Sequence, residues 1–379
     1  MEKKLLIVSG EASGDLHGSA LIKEIKRLAP DAVIKGMGGP RMLEAGLLGM
    51  DSSKIAVVGI FEVLKKFPAI KSAFNALERM LDSERFDCVV LIDYPDFNLR
   101  FAKKAKKRGI KIVYYISPQI WAWRKSRINY IAKTVDKMLV ILPFEKELYS
   151  KTGLDVEYVG HPLTEIAVCR LSKEEAREAL GIKKDELLVT LLPGSRTEEI
   201  ERLLGPMNEA IKVLSKRLGR PVRAVLAAAD SVSDELIDRA SGETRNFVVV
   251  RGKTYEALRA ADSAVVASGT ATLETALLGT PMVIVYRLSP LSYHIGKLLI
   301  DLTHIGLPNI IAGEEVVPEL IQNAVTPENI AHELTRLLTD KAAQKHVMDG
   351  YAAIRKKLDK SFAPENAARA VLKTAGMAI

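Results

Sequence analysis

Cysteine is scarce in this chain. Its 379 residues hold two, Cys88 and Cys169, far apart and in no CxxC pair. That excludes a disulfide scaffold and a thiolate zinc site, and fits a reducing compartment. Long apolar runs are missing too. The N-terminal stretch KLLIVSGE breaks off too soon for the core of a signal peptide, and no run approaches the ~18 residues of a membrane span. A protein made and kept in the cytoplasm is expected. Aromatic residues make up only 6%, with no RNP motif, zinc finger or long basic block, so no nucleic-acid partner is expected. The P-loop pattern and GxGxxG do not occur, and GMGGPR (36–41) is only a partial glycine match. There is no GxSxG elbow, which argues against a nucleophilic serine. His17, His161, His294, His304, His332 and His346 form no HExxH, so no histidine-bound metal is expected.

What is present is basic charge and a repeated alternation. Lys and Arg total 55 against 47 acids, a net charge of +8. A basic surface favours anionic partners such as nucleotides, phosphorylated lipids and acidic membranes, with ordinary solubility charge as the alternative reading. The length exceeds one ordinary core and predicts two domains. Apolar runs at 4–10, 32–39, 88–93, 111–117, 137–143 and 156–162 alternate with helix-periodic stretches, including a long one across about 60–82. The alternation restarts with runs at 187–195, 222–230, 247–252, 263–269 and 281–287, and only helices follow residue 326 or so. Runs apolar on both faces suit parallel strands covered by helices on both sides. The predicted fold is α/β, with two Rossmann-like doubly wound domains facing across a cleft and a seam near residue 165. Ligands of such sheets bind outside the carboxyl ends of the strands.

Four loops and one helix carry the candidate chemistry. In LLPGSRTEEIERLL, Pro193 and Gly194 break a strand, Ser195 or Thr197 can cap the next helix, and Glu198 and Glu199 suit its first turn. Arg196 opposes the helix dipole, so it either grips a phosphate bound at that N-terminus or pairs with Glu198 or Glu199. The phosphate reading is favoured because a similar loop recurs. In VVASGTATLETALLG, the small residues Ser268, Gly269, Thr270 and Ala271 let backbone amides approach a ligand. Glu274, one turn after Thr270, could accept from ribose hydroxyls or simply serve the dipole. In SGEASGDLHG (9–18), Ser13 or Asp15 can cap a helix, while Glu11, Asp15 and His17 are polar groups at the expected cleft edge. ISPQIWAWRKSRINYI sets Trp121 and Trp123 beside Arg124, suited to sugars and phosphates or simply packed on the core. The segment 56–74, with Val58, Phe61, Lys65 and Lys66, reads as a helix on the sheet or as a surface dipping into anionic lipid.

Together these motifs resemble the lipid-A-disaccharide synthase family. The resemblance runs in order through SGEASGDLHG, GMGGPRM, VVGIFEVL, LIDYPDFN, YYISPQIWAWR, LPFE, VGHP, LLPGSR, ASGTATLE, YRLSP and GLPN, nearly the whole chain. Single pieces are unspecific, whereas IDYPDFN, SPQIWAWR and LPGSR in that order are highly specific. The resemblance implies an inverting GT-B glycosyltransferase that joins UDP-2,3-diacylglucosamine to 2,3-diacylglucosamine 1-phosphate (lipid X). It also implies a peripheral protein on the cytoplasmic face of the inner membrane.

On that footing the expected layout is an acceptor and membrane-facing domain (1–165), a UDP-sugar domain (166–345) and C-terminal helices (346–379). Those helices would pack back on the first domain or on a partner's in a homodimer. Gly194, Ser195, Arg196, Ser268, Gly269, Thr270, Ala271 and Glu274 would hold the UDP, and Asn309 in GLPN lies on a loop the family uses near the nucleotide. Glu11, Ser13, Asp15, Trp121, Trp123, Arg124, Val58, Phe61, Lys65 and Lys66 would serve the acceptor and lipid. With no Asp-x-Asp motif at a plausible strand end, no metal or other cofactor is expected. An inverting transfer needs a base for the attacking hydroxyl, and Asp93, ending a buried strand, is the candidate. Asp96 reads instead as the N-cap of the helix that follows. Another GT-B UDP-GlcNAc enzyme (transferase or epimerase) and a non-catalytic nucleotide-sugar-binding module are the alternatives.

Overall fold

The computed structural model describes residues 3–52, 60–118, 120, 127–288, 303–358 and 360–377. The chain divides into two compact units, one of Met1–Pro162 with Lys360–Ile379 and one of Leu163–Asp359.

The first unit is built on a seven-stranded sheet, all parallel where the pairing is described. Its strands are β1 (Lys4–Ser9), β2 (Val33–Gly38), β3 (Leu48–Asp51), β4 (Cys88–Ile92), β5 (Lys111–Tyr115), β6 (Lys137–Val140) and β7 (Asp155–Tyr158). They lie in the order β3-β2-β1-β4-β5-β6-β7. Every residue of β4 is buried, as a central strand covered on both faces requires. The helices needed below are α1 (Ala12–Leu28), α2 (Pro40–Glu44), α3 (Ile60–Ser83) and α4 (Pro95–Lys107). Alternate residues Leu6, Val8, Val89, Leu91 and Tyr114 form one core with Leu77, Leu81, Phe97 and Phe101 of α3 and α4. Burying side chains of this size contributes roughly 1.5–3 kcal/mol each.

The second unit repeats the plan with six strands in the order β10-β9-β8-β11-β12-β13, again parallel. They are β8 (Leu187–Leu192), β9 (Val222–Ala228), β10 (Val248–Arg251), β11 (Ser263–Ala267), β12 (Met282–Tyr286) and β13 (Glu319–Ile321). Its relevant helices are α5 (Thr197–Leu218), α6 (Thr254–Ala260), α7 (Thr270–Leu278), α8 (Leu307–Ala312), α9 (Pro327–Thr339) and α10 (Lys341–Lys357). Capping sets the limits of the last two: Thr326 accepts from the Asn329 amide, and Asp340 from the Ala342 and Ala343 amides.

The expected boundary at 345–346 is displaced. It falls inside α10, which packs on α7, α8 and α9 and belongs to the second unit. Only the last helix, α11 (Ala363–Thr374), lies in the first unit, where it packs on α1, β4, β5 and β6. Two strands escaped the sequence reading, β3 and β13. Both are sheet edges with no fully buried residue, so neither presents an apolar run.

Candidate functional site

In the first unit the strand order reverses between β1 and β4, and Ser9 pairs with Ile92. The residues leaving these two strands therefore start side by side, at the position where such sheets bind ligands. Gly10 and Glu11 follow β1; Asp93 and Tyr94 follow β4. The Tyr94 ring lies over Gly10, where an added Cβ would stand 2.3 Å from a ring carbon, so only glycine fits. The same ring stacks on Phe97 with centroids 5.3 Å apart. Burial, then the charges of Glu11 and Asp96, push the Tyr94 phenol above its usual pKa, which places both carboxylates near it.

Asp93 is half-buried and its backbone is left-handed, with φ 47°; Tyr94 follows at φ 49°. Left-handed geometry at a residue with a Cβ costs about 1–2 kcal/mol, so two in succession need support. The Asp93 amide donates to the Tyr115 carbonyl at 3.2 Å. Its carbonyl accepts from the Tyr114 hydroxyl at 2.6 Å and from Asn98 Nδ2 at 2.7 Å.

Several neighbours have other duties than those expected. Asp15 is buried, and its two carboxylate oxygens accept from the Arg41 and Met42 amides at the start of α2. A Cβ on Gly39 would strike that carboxylate at 2.5 Å. The motifs SGEASGD and GMGGPRM are thus one interlock, with both Asp15 oxygens engaged by α2. Glu11, rather than Ser13 or Asp15, occupies the N-cap position of α1; Ser13 sits half-buried in its first turn. His17 is buried, not at an edge, and meets His161 edge-on with ring centroids 6.4 Å apart. Burial lowers the His17 pKa to about 4; burial and then His17 lower that of His161 to about 3, so both are neutral at pH 7. Asp96 is not the N-cap of α4. Tyr94 takes that position, and Asp96, in the first turn, pairs with Arg127 at 2.8 Å.

The second unit has its own reversal between β8 and β11, where Leu192 pairs with Val266. The loop after β8 is organised by Glu199. One of its oxygens accepts from the Ser195 and Arg196 amides, the other from the Arg196 guanidinium at 3.2 Å. Gly194, at φ 108°, leaves room for that carboxylate. Arg196 itself stands at the N-cap of α5, where Ser195 or Thr197 was expected. Its side chain is 48% exposed, and an exposed ion pair of this kind is worth at most about 1 kcal/mol. Burial, then the charge of Glu199, push the phenol of Tyr286, which ends β12, above its usual pKa, and Arg196 opposes the shift.

After β11, Ser268 donates to the Ile305 carbonyl at 2.9 Å, and Gly269 is exposed. Thr270 and Ala271 open α7 and their amides precede its hydrogen-bond ladder, a position that suits an anion, whereas the Thr272 amide already donates to Gly269 O at 3.1 Å. Glu274 accepts from the Tyr255 hydroxyl of α6 at 2.7 Å, which fixes one of its oxygens. Asn309 differs from expectation. It is fully buried, donates to Val317 O and Glu319 Oε1, and accepts from the Val316 and Val317 amides. All four hydrogen-bonding positions of its amide are filled, so it braces the loop and cannot also contact a nucleotide. Glu319 completes the brace by accepting from the Ile305 and Gly306 amides.

This geometry can be set beside known proteins. A profile of the lipid-A-disaccharide synthetase family matches residues 5–372. The chain is 45% identical over 376 residues to the lipid-A-disaccharide synthase of Geobacter metallireducens, covering 99% of this chain and 98% of that one. It is also 45% identical over 369 residues to the enzyme of that name from Syntrophus aciditrophicus, covering 97% and 96%.

The chain belongs to the lipid-A-disaccharide synthase family.

Among solved structures, MurG of Acinetobacter baumannii aligns with a TM-score of 0.58 at 14% identity, covering 98% of this chain and 100% of that one. A UDP-GlcNAc 2-epimerase from Neisseria meningitidis aligns at 0.65 and 13%, covering 98% and 99%. These distant likenesses establish the GT-B fold. Within the lipid-A-disaccharide synthase framework, Val58, Trp121, Trp123 and Arg124 lie outside the described residues, as do the side chains of Phe61, Lys65 and Lys66 on α3. The bracing residues Tyr114, Asn98, Tyr255 and Glu319 were not singled out from sequence. Two of them carried a signal: Asn98 is the last letter of IDYPDFN and Tyr114 the first of YYISPQIWAWR.

Proposed function

We propose that the protein transfers the diacylglucosamine of UDP-2,3-diacylglucosamine to the 6-hydroxyl of 2,3-diacylglucosamine 1-phosphate. The carrying observation is the family match across residues 5–372, with 45% identity to named synthases over nearly full length. In this reading the acceptor belongs to the first unit and the nucleotide to the second. Asp93 takes the proton as the hydroxyl oxygen bonds to the anomeric carbon. The bond from that carbon to the β-phosphate oxygen breaks, and its electron pair leaves with UDP. Arg196 releases Glu199 to meet the diphosphate, helped by the first-turn amides of α7; fixed donors aimed at developing charge are effective catalysts. Glu274, in the first turns of α7, would accept from a ribose hydroxyl.

Among the described residues no helix is long and apolar enough to cross a membrane. The proposal includes a peripheral place on the cytoplasmic face of the inner membrane, supported by the acylated substrates, with the 56–74 segment as the lipid-facing element. A homodimer belongs to the same proposal. The test is disaccharide formation by purified protein from the two acylated glucosamines, scored against UDP-sugar hydrolysis and epimerisation. Asp93→Asn should largely abolish transfer while UDP binding survives. Normal transfer by that variant would remove Asp93 from the reaction, and epimerisation without disaccharide would favour the alternative enzyme class.

A further inference from the structure

The Asp93 main chain is held on both sides. Its amide continues the β5 ladder through Tyr115 O. Its carbonyl receives two donors, Tyr114 from β5 and Asn98 from the first turn of α4. Asn98 Nδ2 also reaches Ile92 O at 3.1 Å, so one amide group spans the last strand residue and the first residue beyond it. Both side chains are fully buried. Asn98 Oδ1, by contrast, has no hydrogen-bond partner among the described residues. A buried acceptor left unpaired is a cost that packing alone gives no reason to accept. The orientation that incurs it is the one that places the amide hydrogens on Asp93 and Ile92. Such a local sacrifice of stability is expected where a site needs a fixed geometry.

We infer that Tyr114 and Asn98 are positioning residues that act through Asp93, holding its left-handed backbone so that the carboxylate stays where it accepts the proton. This rests on the assignment of Asp93 as the base. Neither residue touches substrate in this scheme. Tyr114 suits the task because burial, then the charge of Asp93, push its phenol pKa far up, so it remains a donor throughout the working range. A misplaced general base loses rate without losing substrate affinity.

The test uses full-length protein and Tyr114→Phe, which removes one hydroxyl and leaves Asn98 in place. The expected result is a kcat lowered about tenfold or more, with KM for both acylated glucosamines unchanged within about twofold. The thermal midpoint should stay within about 4 °C, since one buried hydrogen bond is lost. A kcat equal to that of the parent overturns the inference. The decisive comparison adds the same change to Asp93→Asn and follows the residual rate with enzyme in excess. If Tyr114 works through Asp93, the second change costs nothing further. An equal loss in both backgrounds means Tyr114 only supports the fold, and the inference fails. An inactive Asp93→Asn with a normal Tyr114→Phe defeats the positioning role alone, whereas a fully active Asp93→Asn defeats the base assignment itself. Asn98→Leu offers a second reading: with the donor removed and the volume kept, it should lower kcat in the parent and leave the Asp93→Asn residual rate alone.

Discussion

Lowering the pH from 7 to 5 should weaken the first unit through two histidines. His17 and His161 are both buried there, with native pKa values of about 4 and about 3. An unfolded chain returns them to about 6.5. Between the native and unfolded values the unfolded state binds more protons, so stability rises with pH in that window and is lost as pH falls below about 6.5. At pH 5 each histidine forfeits roughly 2 kcal/mol, about 4 kcal/mol for the pair if they act independently. That is a large part of the 5–15 kcal/mol typical of a folded domain. Carboxylates held low by ion pairs, such as Glu84 beside Lys35 and Lys4, act only below their unfolded pKa of about 4.5, so they fall outside the window. Two measurements check this. In protein carrying carbon-13 histidine, the His17 and His161 ring signals should not move between pH 7 and 5. In urea unfolding, the loss of stability between pH 7 and 5 should largely vanish in a His17→Gln, His161→Gln double variant. Ring signals that titrate near pH 6.5 in the folded protein would refute the reasoning, as would an unchanged pH dependence in the double variant.

Other consequences follow from the second unit. Arg196→Ala should weaken UDP binding by about tenfold or more, since a charge-assisted contact is lost, and calorimetry showing unchanged affinity would exclude the phosphate role. Asn309→Ala leaves the Val316 and Val317 amides and Glu319 short of partners, and should destabilise the second unit by roughly 2–4 kcal/mol in urea unfolding. A neutral result there would show that water fills the gap.

The segments legible from sequence were those whose signal is local. The runs at 88–93, 187–195 and 263–269 announced buried strands because central parallel strands are apolar on both faces. The loops after them followed, since β-strands that stop at Gly, Pro or Asp leave polar residues at their carboxyl ends. The ordered motifs carried the family as well, and with it the activity. Edge strands β3 and β13 gave no such signal, because half-exposed strands need few apolar residues.

Contacts between distant segments were decided by the tertiary structure alone. Asp15 reads as a helix cap or a ligand, and only folding shows its carboxylate committed to α2, more than twenty residues on. Asn309 reads as a loop residue beside a nucleotide, but burial fills its amide with protein partners. His17 looked like an exposed polar group until His161, from beyond β7, was found against it. Asp93 was visible as an acid at the end of a strand. The two donors on its carbonyl come from β5 and α4, and neither strand pattern nor motif predicts a hydrogen bond between side chain and backbone across that separation. Local periodicity fixes where elements begin and stop, while the partners of a buried polar group depend on which elements become neighbours.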